Sequence, residues 1–171
     1  MAHTSEKTSA LTASDRPARL ETDRFTGEVL HIFQCIAHRL PMRELDQTRA
    51  IFDRGLEGCA HGRPGSWRQV LLVDIETLDE LGIAPGAVKE NITTRGLRVK
   101  ELKRGQQVRI GGAVLEVTIP CEPCTRMNDI RPGLEQTLRG RRGMLCRVVT
   151  EGPIRRGDRI EVLDTVAPAA V

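Results

Sequence analysis

Aromatic side chains are nearly missing from this chain: three Phe, one Trp and no Tyr. A core must therefore be assembled from Val, Ile and Leu, and a surface that binds nucleic acid by stacking bases would have almost nothing to stack with. Long apolar runs are missing too. The longest, Val70 to Val73, has four residues, far short of a membrane-spanning helix. Residues 1–24 contain no apolar stretch of the kind a secretory signal requires. Neither sign of charge dominates, because 26 Lys and Arg face 23 Asp and Glu, leaving +3; that is too little to announce a nucleic-acid binder. The five cysteines are an odd number. With no export signal beside them, they predict a reducing, cytoplasmic setting with thiols free for ligation or redox work.

What is present is one domain's worth of globular sequence: 171 residues, 39% apolar and 29% charged. Residues 1–24 are rich in Ser, Thr and mixed charge and hold too few large apolar groups to offset their ordering entropy, so a loose tail is expected. A second tail is expected at 165–171, which leaves a domain at 25–164. Its pattern is mainly β. Gly27 to Ala37 alternates, with Val29, His31, Phe33 and Cys35 on one side. The run Gln69 to Ile75 reads as a buried strand, followed by a short helix over Glu76 to Leu81 that Gly82 ends. Val108 to Ile110, Gly111-Gly112 and Ala113 to Ile119 predict a hairpin with a two-residue type I′ turn. Met144 to Thr150 and Asp158 to Leu163 read as a further β pair. Residues 125–138 stay ambiguous because Pro132-Gly133 interrupts any helix. Short strands with Gly and Pro punctuation predict a small closed or partly open β-barrel with a few short helices.

Four segments carry chemistry. The first is Gly55 to Val70, a Gly-rich loop leading into a strand and containing His61, which could bind metal or shuttle protons. The second, Lys89 to Gly96, reads as an irregular stretch in which Asn91, Thr93 and Thr94 either cap turns or offer neutral hydrogen bonds to a cofactor. The third is Pro120 to Cys124, where Cys121 and Cys124 are spaced C-x-x-C between stiffening prolines. A single such pair is compatible with two buried turn residues, but Arg126 lies two residues on, where its charge would stabilise an exposed thiolate. A thiolate suits a soft metal centre rather than magnesium or calcium. The fourth is a pair of arginine clusters. Residues 95–109 hold six basic and one acidic side chain, and 139–159 hold seven and two. As solvated faces they would be unremarked; as a set, including Arg95 and Arg142, they are candidates for an anion-receiving rim.

Taken in order, GLEG-x-x-HG, RQVLLVD, KENITTRGL, LKRGQQVRIGGAVLEVT, PCEPC and RRGMLCRVVTEGPIRRGD resemble the MOSC family, the domain at the C-terminus of molybdenum cofactor sulfurases, over about residues 27 to 163. The resemblance implies a β-barrel that binds the molybdenum cofactor, a pterin dithiolene carrying a phosphate. It carries the family's association with pyridoxal phosphate. It also implies that the cysteine matching the PCEPC segment, Cys124 first and Cys121 second, ligates molybdenum or carries sulfur. Asn91, Thr93, Thr94, Arg95, Arg126 and Arg142 would then hold the cofactor. The amidoxime-reducing branch of the family reduces N-hydroxylated small molecules with electrons from a separate reductase. The competing expectations are a non-catalytic carrier passing cofactor or persulfide sulfur to an acceptor protein, and an interaction module with a structural C-x-x-C. In one place the chain departs from the stand-alone members of the family: Gly58 is followed by Cys59, where Asp is common.

Overall fold

The computed structural model describes residues 26–163, so the tails expected at 1–24 and 165–171 lie outside the described residues. In chain order these residues form β1 (Thr26–Gln34), β2 (Arg43–Leu45), β3 (Gln47–Ile51), β4 (Gly55–Leu56), β5 (Val70–Asp74), α1 (Ile75–Glu80), β6 (Ile92–Arg95), β7 (Gln107–Ile110), β8 (Ala113–Pro120), α2 (Met127–Ile130), α3 (Leu134–Thr137), β9 (Met144–Thr150), β10 (Gly152–Arg155) and β11 (Arg159–Leu163). Seven strands close a barrel in the ring order β11-β7-β8-β9-β5-β6-β1, with β1 pairing back onto β11 and β2 extending from β1. Strands β10, β3 and β4 form a small second sheet. Closure leaves the ring without free edges. Mainly β with a few short helices, as predicted, is the architecture observed.

Why these strands close is legible in their burial. Strand β5 is buried at all five positions, and its two faces feed two cores. Val70 and Leu72 point into the barrel with Ile32, Ile92, Ile110, Leu115, Val148 and Ile160. Leu71 and Val73 point outward onto Leu78, Val88, Cys121, Met127, Leu134, Leu138 and Leu145. A strand buried on both faces reads as a continuous apolar run, which is the form VLLV takes. Helix α1 begins where Asp74 caps it, its carboxylate accepting from the Thr77 backbone N–H at 3.0 Å. This helix lies in the crossover that lets β6 pair with β5 in parallel, the one parallel pairing in the ring.

Several local expectations change. Strand β1 carries a bulge between Val29 and His31, so the simple alternation fails. Val29, Ile32 and Cys35 join the barrel core, while His31 and Phe33 stack with ring centroids 5.8 Å apart. The hairpin has the expected two-residue loop, with Ile110 opposite Ala113. Gly111 is at φ 55, however, and Gly112 is not in the left-handed region, which is the sign pattern of a II′ turn rather than I′. Strands β9 and β11 do not pair. β9 lies between β8 and β5, β11 between β7 and β1, and Gly152 to Arg155 is itself a strand on β3. The stretch after Glu90 is not irregular, because Ile92–Arg95 is a barrel strand. Residues 125–138 form α2 and α3, separated around Gly133 at φ 81.

A candidate cofactor site on the outer face of the barrel

The outward core is only partly covered, and a cavity of about 900 Å³ opens beside it. Leu71 on β5 and Leu145 on β9 form an apolar wall together with Met127 and Ile130 of α2. Around them, four chain segments supply polar groups: His38 and Arg39 after β1, Ala60 to Arg68 from the Gly-rich loop, Ala87 to Asn91 before β6, and Cys121 to Asp129 after β8. Arg142 enters from the approach to β9.

The Gly-rich loop is held by a buried polar latch. Gln69 is fully buried; its Nε2 donates to Asp53 Oδ1 at 2.9 Å and to the Arg63 carbonyl at 3.3 Å. Its Oε1 accepts from the Val148 N–H at 2.9 Å. Asp53 Oδ2 also accepts from the Gly65 N–H at 2.8 Å. A fully paired buried amide of this kind fixes a loop more firmly than its exposed length suggests. At Gly62 a Cβ would strike the Arg54 carbonyl, so the loop can lie this close only without a side chain there.

Cys124 is exposed and lines the cavity. Cys121 lines it too but is buried. Burial pushes the Cys121 thiol up, against the pull of Arg142 and Arg68. Of the two, Cys124 is therefore the reachable sulfur. Arg142 is 9% exposed. Its two terminal nitrogens donate to the Glu122 carbonyl at 3.0 Å and the Val88 carbonyl at 2.9 Å, joining two walls of the cavity. Its Nε is buried without a partner. Arg126 lines the cavity beside Cys124.

Asn91 reaches the cavity but spends its amide on the fold. Its Oδ1 accepts from the Leu71 N–H at 3.1 Å, and its Nδ2 donates to the Phe33 carbonyl at 3.2 Å and to Cys59 Sγ at 3.3 Å. Thr93, Thr94 and Arg95 do not line the cavity. Thr93 and Thr94 are fully buried in β6, with hydroxyls donating to Glu90 Oε1 and the Val73 carbonyl. Arg95 is exposed and paired with Glu28 at 3.0 Å. Incorporation into barrel strand β6 ties these three residues to the fold, so residues that looked contiguous with Asn91 on a loop do not share its cavity.

The arginine clusters contribute only Arg142. Arg98, Arg109, Arg141, Arg147, Arg156 and Arg159 sit instead in exposed ion pairs with Glu or Asp. The cavity's positive charge comes from Arg39, Arg63, Arg68, Lys89 and Arg126 as well as Arg142, with Asp129 the one carboxylate among its lining residues. Arg39 and Lys89 are both in the left-handed backbone region, at φ 72 and 67, a conformation that costs a non-glycine residue energy and clusters at functional sites. Sequence reading passed over Arg39, Arg63, Arg68 and Lys89 because they lie outside the clusters. The usable signal was that Arg63 and Arg68 stand within the Gly-rich loop itself.

Among the described residues, a closed barrel carries a cationic cavity lined by an exposed thiol. Residues 64–161 match the MOSC domain, and the chain belongs to that family, whose members generally bind the molybdenum cofactor. The fold is similar to that of the YuaD protein from Bacillus subtilis, at 21% identity, TM-score 0.72, covering 81% of this chain and 96% of that one. It is also similar to YiiM from Escherichia coli (23% identity, TM-score 0.59, 80% and 71% covered) and YiiM from Geobacillus stearothermophilus (18%, 0.66, 84% and 78%). No curated protein matches the chain.

Proposed function

We propose that residues 25–164 bind the molybdenum cofactor and reduce N-hydroxylated compounds, with Cys124 as the metal ligand and electrons from a partner redox protein. One observation carries the reading: a reachable thiol shares a cavity with six cationic side chains, one of them a buried arginine whose Nε lacks a partner. That donor set fits the cofactor. A soft sulfur suits molybdenum, guanidinium groups suit a phosphate, and the volume is within the range of pockets that enclose ligands of cofactor size.

Cys124 would hold the metal, and Arg142 and Arg126, with Arg63, Arg68 and Lys89 around them, would hold the phosphate. When bound, the cofactor supplies the two-electron chemistry that removes oxygen from an N–OH group. The chain's own contribution is positioning. Leu71, Leu145 and Met127 give the organic part an apolar wall, and Arg142 keeps the segments carrying Val88 and Glu122 together. His38, which also lines the cavity, would hold and deliver a proton there.

The test is the molybdenum content of protein made in a cofactor-producing host. Wild type is expected to carry the metal, Cys124→Ser to lose it and Cys121→Ser to keep most of it; the reverse order overturns the assignment. Reduction of a hydroxylamine with an artificial electron donor then supports the reductase. Loaded protein that shows no turnover but passes cofactor to an acceptor enzyme replaces that reading with a carrier.

A further inference from the structure

A second thiol site lies beside the cavity and is untouched by the function above. Cys59 and Cys35, far apart in sequence, are brought together where the Gly-rich loop meets the end of β1. The Ala60 N–H donates to the Cys35 carbonyl at 2.7 Å, and Asn91 binds both segments, through the Phe33 carbonyl and Cys59 Sγ. The neighbours of Cys59, Ala60 and His61, line the cavity, and Cys59 itself is buried beside them at 8% exposure, so a reagent would reach it from the cavity side.

The sulfur of Cys59 is surrounded by donors. Asn91 Nδ2 donates to it at 3.3 Å, and the His61 side chain and the His61 and Cys35 backbone lie near enough to favour its thiolate form. Burial raises the Cys59 pKa, but these donors and the His61 charge outweigh it and bring the thiol down to about 7. Cys35 moves the other way: burial raises it, the neighbouring Cys59 adds to that, and Lys89 opposes. The pair thus sets a thiol with thiolate character beside one held protonated, the division of labour between an attacking and a resolving cysteine.

We propose that Cys59, activated by His61, is a hydroperoxide-reactive thiol and that Cys35 resolves it as a reversible disulfide. In the first step the Cys59 thiolate attacks the terminal oxygen of a hydroperoxide. An S–O bond forms and the O–O bond breaks. The peroxide leaves as the alkoxide or hydroxide, which takes up a proton, and Cys59 is a sulfenic acid. In the second step the Cys35 sulfur attacks Cys59 Sγ. The S–S bond forms, the S–O bond breaks, and hydroxide departs with the Cys35 proton as water. Two electrons pass from the two thiols to one peroxide, and an external dithiol returns them. The disulfide would join β1 to the loop that carries His61, Arg63 and Arg68.

The experiment uses the reduced full-length chain, one equivalent of hydrogen peroxide at pH 7, alkylation of remaining thiols and peptide mapping without reductant. The expected result is a Cys35–Cys59 cross-link that dithiothreitol reverses. Cys35→Ser should instead accumulate a dimedone-reactive sulfenic acid on Cys59, and His61→Gln should slow oxidation about tenfold. Wild-type labelling without peroxide gives a readout that needs no variant, with Cys59 alkylated at least about a hundredfold faster than buried Cys146. Equal rates for the two, or peroxide oxidation confined to Cys121 and Cys124, overturns the proposal. No molybdenum is involved, so this outcome is separate from that of the metal-content test.

Discussion

Cys121 and Cys124 are three positions apart and chemically identical, yet one is packed against Leu71, Val88 and Met127 in the outward core while the other faces solvent. Exposure, not residue type, separates them. Arg142 poses a similar question of role, because it both holds the wall and offers Nε to the cavity. Arg142→Met would strand the Val88 and Glu122 carbonyls and is expected to cost about 2–4 kcal/mol, measured by denaturant unfolding without any ligand. The same variant should bind inorganic phosphate more weakly than wild type. Glu90 is a buried carboxylate near the site. Burial raises its pKa, against hydrogen bonds from the Gly86 and Glu90 backbones and the Thr93 hydroxyl, and its Oε2 has no partner. A folded-state pKa above the unfolded one means that the native state binds more protons over the interval between them. Stability therefore falls as pH rises through that interval, by up to about 1.4 kcal/mol per pH unit. Glu90→Gln removes this dependence, so the melting temperature of the variant minus that of wild type should grow from pH 4 to pH 8.

At the scale of elements, close approaches set what the strands can carry. Gly143, at φ 106, precedes β9, and a Cβ there would meet the Leu72 carbonyl of β5. Gly143→Ala thus combines a disfavoured backbone with an overlap between two barrel strands. Destabilisation of about 1–3 kcal/mol or more is expected, and because Arg142 is the adjacent residue, phosphate affinity should fall with it. Gly105→Ala provides the comparison: it has a positive φ but nothing within reach of the added Cβ, so it should lose stability without losing anion binding. The elements legible in sequence were those whose signal is local. The run VLLV gave β5, the stretch Glu76 to Leu81 ended by Gly82 gave α1, and the Gly-Gly pair gave the β7–β8 hairpin. Strands β2, β3, β4, β6 and β10 were missed because each is only two to five residues long and rich in polar residues, Gly or Pro, too short to show alternation.

Charge is segregated across the whole molecule. The cavity gathers six cationic side chains against one carboxylate, whereas the entire chain is only +3, so the remainder is net negative. Such an arrangement focuses anions into one concave site. Binding of an anionic pterin phosphate should weaken on the order of tenfold between low and physiological salt. Lys89→Gln should lower both the affinity and the steepness of that salt dependence, whereas Arg147→Gln, whose wild-type side chain pairs with Glu116 on the surface, should alter neither. No helix among the described residues is long and apolar enough to cross a membrane.

By itself the sequence determined the family, the mainly β architecture, the strand and hairpin at the barrel's centre, and the C-x-x-C segment with Arg126 beside it. The family rests on the order of motifs along residues 27–163, and the rest on short-range patterns, namely alternation, turn chemistry and spacing, which a stretch of chain carries without reference to the rest. Only the tertiary structure decided which cations face the cavity, which of two neighbouring thiols is reachable, and that Cys35 lies against Cys59. Those depend on how barrel closure brings distant loops together and on which side of a strand each residue falls. Barrel strand β6 took Thr93 and Thr94 into the packed fold and left Arg95 paired with Glu28 on the surface, away from a site that their position in the chain had seemed to share.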